Sequence, residues 1–262
     1  MINNSKLIDK REELKKQIAL GNYSTVPDVI LTSIGQLLKI ITRRKKLPNY
    51  WYSSLILNLI VFLVGMLLSY VMNESVLSQG PIIQMVFLAV LAGFISMVVA
   101  KIFVDKIFKE FRIHIVDSIE SVDDIANLQS WTAAVCNTKY QFVCGLLYGI
   151  LIPIFILYIL SNSALEFMGI GPILPIIFSF FQAGLLSYYI LLYFVLPGRL
   201  SGYDYKLYLN DPSQSKVVEH ISNIFTYGLF LFSVVMVITT FSVSFMWDFY
   251  YYSARFGERV AS

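Results

Sequence analysis

Long apolar blocks alternate with shorter polar connections along this chain. Five blocks meet the requirement of about 20 apolar residues for a helix to cross hydrocarbon. They are Tyr52–Met72, Ile82–Phe103, Phe142–Ser161, Ile173–Pro197 and Ile224–Trp247. None carries Asp, Glu, Arg or His in its middle, and Lys101 sits at the end of the second. A soluble core helix rarely stays apolar on every face for so long. The pattern predicts an all-α polytopic transmembrane bundle of five spans with a cytoplasmic helical hairpin extension. The expected segments are an N-terminal cytoplasmic stretch 1–50, a transmembrane hairpin 51–103, a helical hairpin 104–141, a second transmembrane hairpin 142–197, a connection 198–223, and a last span with its tail 224–262.

The hairpin follows from periodicity and reach. Apolar residues recur at intervals of three or four at Phe108, Phe111, Ile115, Ile119, Val122, Ile125, Leu128, Trp131 and Val135, which is helical spacing. One straight helix over this stretch would run about 50 Å. The third block begins only a few residues later, so the chain must turn. The acidic stretch Asp117–Asp124 is the expected place, with Ser118, Ser121, Asp123 and Asp124 able to cap helix starts. The two arms are expected to continue the second and third spans by about 25 Å.

The seam Phe108, Phe111, Ile115, Ile119, Leu128 and Trp131 then needs a cover. Residues 25–46 offer an amphipathic helix, started by Thr25 and Pro27 and ended by Arg43–Lys46, with Val29, Ile30, Ile34, Leu37, Leu38 and Ile41 on one face. Two readings stay open: the helix packs on the hairpin, or it lies on the membrane surface. The first twenty residues read as a solvated helix or a loose tail. Asp211-Pro212 is expected to start a helix that runs into the fifth span.

Composition sharpens the class. The chain is 57% hydrophobic and 14% charged, against about 45–50% and about 25% in soluble domains. Disorder and an ordinary soluble enzyme are excluded. A net charge of +3 implies no nucleic-acid partner. The basic residues are unevenly placed: ten in 1–51, none in 73–81, four in 104–141, none in 162–172 and three in 196–223. The positive-inside rule then predicts a cytoplasmic N-terminus and an opposite C-terminus, in a plasma or inner membrane. The first apolar block follows a charged segment, so it is expected to act as an uncleaved anchor. Cys136 and Cys144, both assigned to the cytoplasmic side or near it, are expected to stay unbridged.

Candidate functional residues are few. Small residues at four-residue spacing, Gly145 and Gly149, Ala92 and Ser96, and Ser179, Ala183 and Ser187, mark packing faces within the chain or between subunits. Pro153 and Pro175 are expected kinks, either gate hinges or static bends. Asn58 and Gln182, with Ser179 and Ser187, either line a pore or bond to neighbouring helices. The spans lack ionisable groups at depth, which argues against a proton-driven carrier and an arginine-repeat voltage sensor. His114, Asp117, Glu120, Asp123 and Asp124 could share a helix face, as a hard-cation site or simply a solvated surface, and His220 reads as structural. No cofactor or metal is expected. No GxSxG, HExxH or P-loop is present, so the chain is not expected to be an enzyme. The reading is a non-enzymatic, channel-like or pore-forming homo-oligomer in the lipid bilayer, with the hairpins joining subunits. The alternative is a membrane-anchored sensor or scaffold that recruits a soluble cytoplasmic partner.

Overall fold

The computed structural model describes residues 2–19, 25–43, 49–72, 80–110, 114–159, 170–206, 215–234, 236–237 and 240. Among these the chain is helical, with one isolated antiparallel bridge between Ile119 and Tyr205. The helices are α1 (Ile2–Ala19), α2 (Val26–Thr42), α3 (Tyr50–Val71), α4 (Gly80–Glu110), α5 (Val116–Ser118), α6 (Val122–Val135), α7 (Thr138–Ile159), α8 (Ile170–Leu200) and α9 (Lys216–Val234). Five stretches are long and apolar enough to cross a membrane: Tyr50–Val71, Ile83–Lys106, Thr138–Phe155, Gly171–Leu200 and Lys216–Val234. This fits a multi-pass membrane protein. Apart from 236–237 and 240, the rest of the last expected block lies outside the described residues, as does Asp211-Pro212.

Helices α4 and α8 form the centre of the bundle. Half of each apolar stretch is buried, against 22% for those of α3, α7 and α9. Small residues set the approach of the helices. A Cβ at Gly145 would come within 2.7 Å of the Phe181 ring, and one at Gly184 would meet Tyr148 at 2.6 Å and the Gly145 Cα at 3.0 Å. Gly149 faces Ile177 and Phe181. The Gly145–Gly149 face is therefore filled by α8 of the same chain. Gly65 of α3 lies against Gly171 and Pro175, and Ser69 lies against Gly171, so α3 and α8 run antiparallel. On α4, Gly93 lies against Ser179 and Gln182.

Beyond one end of the bundle sits a lobe with its own core. Leu14 of α1 is fully buried among Ile115, Val116, Ile119, Ile125, Leu128, Leu196, Leu200 and Ile224, with Trp131 and Leu7 packed alongside. The Arg11 guanidinium donates to the Ile119 carbonyl, Lys15 meets Asp117 at 2.5 Å, and the Gln129 amide donates to Gln17 at 2.7 Å. Helix α1 is thus docked, neither loose nor fully solvated. The reason is sparse but sufficient: Leu7 and Leu14 stand two turns apart on one face of a polar helix. The seam residues Ile115, Ile119 and Leu128 are buried within the chain. Phe111 and the side chain of Phe108 lie outside the described residues.

Helix α2 does not cover that seam. Its start is a capping box: the Thr25 hydroxyl accepts from the Asp28 N–H at 3.3 Å, and the Asp28 carboxylate accepts from the Thr25 N–H at 3.4 Å. Val26 and Leu31 then pack with Met97, Phe181 and Leu185 of the bundle, while Val29, Leu37, Ile40 and Ile41 stay exposed. The expected turn within Asp117–Asp124 is present as an interruption: α5 ends at Ser118, Ile119 is extended, and Ser121 caps α6 by accepting from the Asp124 N–H at 3.4 Å. The second arm is a separate helix and not a continuation of α7. Cys136 and Asn137 separate the two, and the Asn137 side chain accepts from the Lys139 N–H at 3.0 Å, starting α7 afresh.

Candidate functional site

Two buried polar groupings stand out, one where the lobe meets the bundle and one inside the bundle. At the junction, Gln141 from the first turn of α7 is fully buried. Its Oε1 accepts from the Val26 N–H at 2.8 Å and from the Tyr189 hydroxyl at 2.7 Å. Its Nε2 donates to the Val135 carbonyl at 3.2 Å, which also accepts from the Tyr188 hydroxyl at 3.0 Å. Beside it, Lys101 is paired with Asp28 and, at 2.5 Å, with Asp105, while the Thr25 hydroxyl donates to Asp28 at 2.6 Å. One side chain thereby ties α2, α6, α7 and α8 together, and Lys101 adds α4. Cys136 is buried at the same place, and burial, with the negative charge of Asp28 added, pushes its thiol up to about 12.

Inside the bundle the picture is opposite. Gln182 on α8 is fully buried, and neither atom of its amide has a hydrogen-bond partner among the described residues. Asn58 on α3 donates to the Ser54 carbonyl at 2.9 Å, but among the described residues its Oδ1 has no partner, nor do the hydroxyls of Ser53 and Ser54. Register relates these groups. Asn58 lies two turns before Gly65, and Gln182 lies two turns after Pro175, the residue that packs on Gly65. In the antiparallel pair α3–α8 the two amides therefore stand at one level of the bundle, and Gly93 of α4 makes room for Gln182.

The other sequence-based candidates fall in place around them. Ser179 and Ser187 donate to their own helix, to the Pro175 carbonyl at 2.8 Å and the Ala183 carbonyl at 2.9 Å. Ser96 is buried and Ala92 half-buried on α4. Pro153 and Pro175 sit within α7 and α8, which run unbroken through them. Asp117 and Asp124 are engaged separately, with Lys15 and with the Asp204 N–H at 3.0 Å. No cluster of three His, Cys, Asp or Glu able to hold a metal occurs among the described residues.

Sequence reasoning missed two arrangements. The chain's two histidines, His114 and His220, stack face to face with ring centroids 3.4 Å apart and planes 3° from parallel. They lie over 100 positions apart in sequence, and no local pattern joins them. The Gln141 clip was equally invisible, although a Gln at the head of an apolar block was a usable signal. No family model matches this chain, nor does any characterised protein or solved structure.

Proposed function

We propose that this is a non-enzymatic, channel-like membrane protein with a polar path through the bundle of a single chain, at the level of Asn58 and Gln182. The observation that carries the reading is Gln182, fully buried with both amide atoms unpaired among the described residues. Leaving a buried polar group unsatisfied costs about 1–3 kcal/mol. A position needed only for packing would hold Leu without that cost. An amide there instead offers a donor and an acceptor to a species passing through, as channel linings do. Amides and hydroxyls carry no fixed charge, which suits small neutral or monovalent species and not multivalent ions, whose sites use carboxylates.

Two of the surfaces expected to join subunits are occupied inside the chain: α8 fills the Gly145–Gly149 face, and Leu14 covers the described part of the hairpin seam at Ile115, Ile119 and Leu128. That favours one bundle as the functional unit and disfavours a soluble partner docked on the seam. In this reading the lobe faces the cytoplasm, because the basic connections are the ones on its side of the bundle.

The test is flux into liposomes of defined orientation, with conductance in planar bilayers. The wild type should pass small solutes or monovalent ions, and Gln182→Leu should cut the flux about tenfold or more while the protein stays folded. Wild-type vesicles as tight as empty ones, or a Gln182→Leu variant with unchanged flux, would sink the proposal.

A further inference from the structure

The lobe contains a second feature, made of different residues from the polar path and independent of it. A cavity of about 820 Å³ opens between the Ile119–Tyr205 bridge and the end of α8 with the start of α9. Its size falls in the range of about 300–1,000 Å³ usual for small-molecule sites. One wall is the bridged pair of segments, fixed by the Glu120 N–H donating to the Asp204 carbonyl at 2.9 Å and the Lys206 N–H donating to the Ser118 carbonyl at 2.8 Å. This makes Glu120 and Asp204 a cross-strand pair with side chains on one face of the bridge, and both residues line the groove. Tyr203, Tyr205 and Phe225 also line it, together with Leu200 and Ile221.

Among the described lining residues only Glu120 and Asp204 are charged, and neither has an ion-pair partner among the described residues, although the Arg199 guanidinium stands near enough to act on the Tyr203 hydroxyl. Two carboxylates beside aromatic faces are complementary to a cation with an apolar body, since ring faces and carboxylates both attract positive charge. A bare metal ion is the poorer match. It needs several oxygen ligands converging at about 2.3–2.6 Å, and no three acidic, His or Cys side chains converge here among the described residues.

We propose that this groove binds an organic ammonium ion, its charged head between Glu120 and Asp204 and its apolar body against the Tyr203, Tyr205 and Phe225 rings. The carboxylates supply long-range attraction and the rings discriminate against small inorganic cations. The site spans the lobe and the first turns of α9, so an occupant would bridge the two.

Calorimetric titration of the full chain in detergent tests this, with benzyltrimethylammonium as the probe and benzyl alcohol as its uncharged control. The cation should bind saturably at one per chain, and the alcohol should not. Asp204→Asn and Glu120→Gln should each weaken binding about fivefold and together abolish it, since each removes a charge partner. Phe225→Leu, which keeps an apolar side chain, should weaken it about threefold. Melting curves of the variants identify any that fail to fold. Both carboxylates are exposed, and the backbone, not their side chains, makes the bridge, so these variants should fold. Absence of saturable binding, unchanged binding in the double variant, or full displacement by calcium at equimolar amounts would each overturn the proposal.

Discussion

Gln141 and Gln182 are the same residue, equally buried, in opposite circumstances. Gln141 uses both ends of its amide to clip together four helices at the lobe end of the bundle. Gln182 uses neither, a few turns away along the same packed bundle. A buried amide is neither stabilising nor costly by itself; its partners decide. The difference separates a group retained for the fold from one whose retention the fold does not explain.

The largest effect is expected from removing the clip. Gln141→Leu leaves the Val26 N–H and the Tyr189 hydroxyl without an acceptor. At about 1–3 kcal/mol for each orphaned group, stability should fall by about 2–6 kcal/mol. Denaturant titration in mixed micelles reads this, and limited proteolysis near Thr25 should show α2 detaching. A loss below about 1 kcal/mol would erase the contrast with Gln182. Next comes Gly184→Val. Its added carbons would meet the Tyr148 Cβ and the Gly145 Cα, and backbone cannot give way as a flexible side-chain tip can. A cost of about 1–3 kcal/mol is expected for such overpacking, read in the same titration. A neutral result would mean that α7 and α8 are held less closely than their glycines indicate.

The five apolar helices were legible in the sequence because hydropathy over some 20 residues is a local property, readable without any partner. Thr25, Pro27 and Ser121 were legible for the same reason, since a cap acts on residues three positions away. What covered what was not. Helix α2 has the strongly amphipathic pattern, yet polar α1 took the lobe seam through Leu7 and Leu14. Which of two apolar faces wins depends on shape and on side-chain bonds such as Arg11 to the Ile119 carbonyl, neither of which periodicity encodes. For the candidate sites, Asn58 and Gln182 were visible as amides in apolar blocks. Their common level needed the α3–α8 register set by Gly65, and the His114–His220 stack and the Glu120–Asp204 groove needed the whole lobe.

Gln182→Leu gives the other half of the comparison. It removes an amide that bonds to nothing and replaces it with apolar volume, so stability should change by less than about 1 kcal/mol, or rise. Run beside Gln141→Leu in one titration, the two substitutions should differ by at least about 1 kcal/mol. A large loss at Gln182 would mean that its amide does have partners in the folded protein, and its case as an available group would go.

Lys15 sets the lower end of the scale, as a polar contact on the lobe surface. It meets Asp117 at 2.5 Å and Glu12 at 3.4 Å, with side chains partly open to solvent. Burial lowers its pKa, but the hydrogen bond and charge of Asp117, with a smaller contribution from Glu12, outweigh that and leave it above 10.5. A raised folded-state value has one sign of consequence. The stabilisation is fully present below the unfolded value of 10.5 and fades as the pH climbs through the folded-state value. Exposed pairs contribute little, so Lys15→Met should cost only about 0.5 kcal/mol at pH 8. That gap to the wild type should hold steady from neutral pH up to about 10 and close above it, because the variant lacks the titrating group while sharing every other one. A gap that persists undiminished at high pH would assign the effect to packing of the Lys15 stem against α5, with no role for its charge.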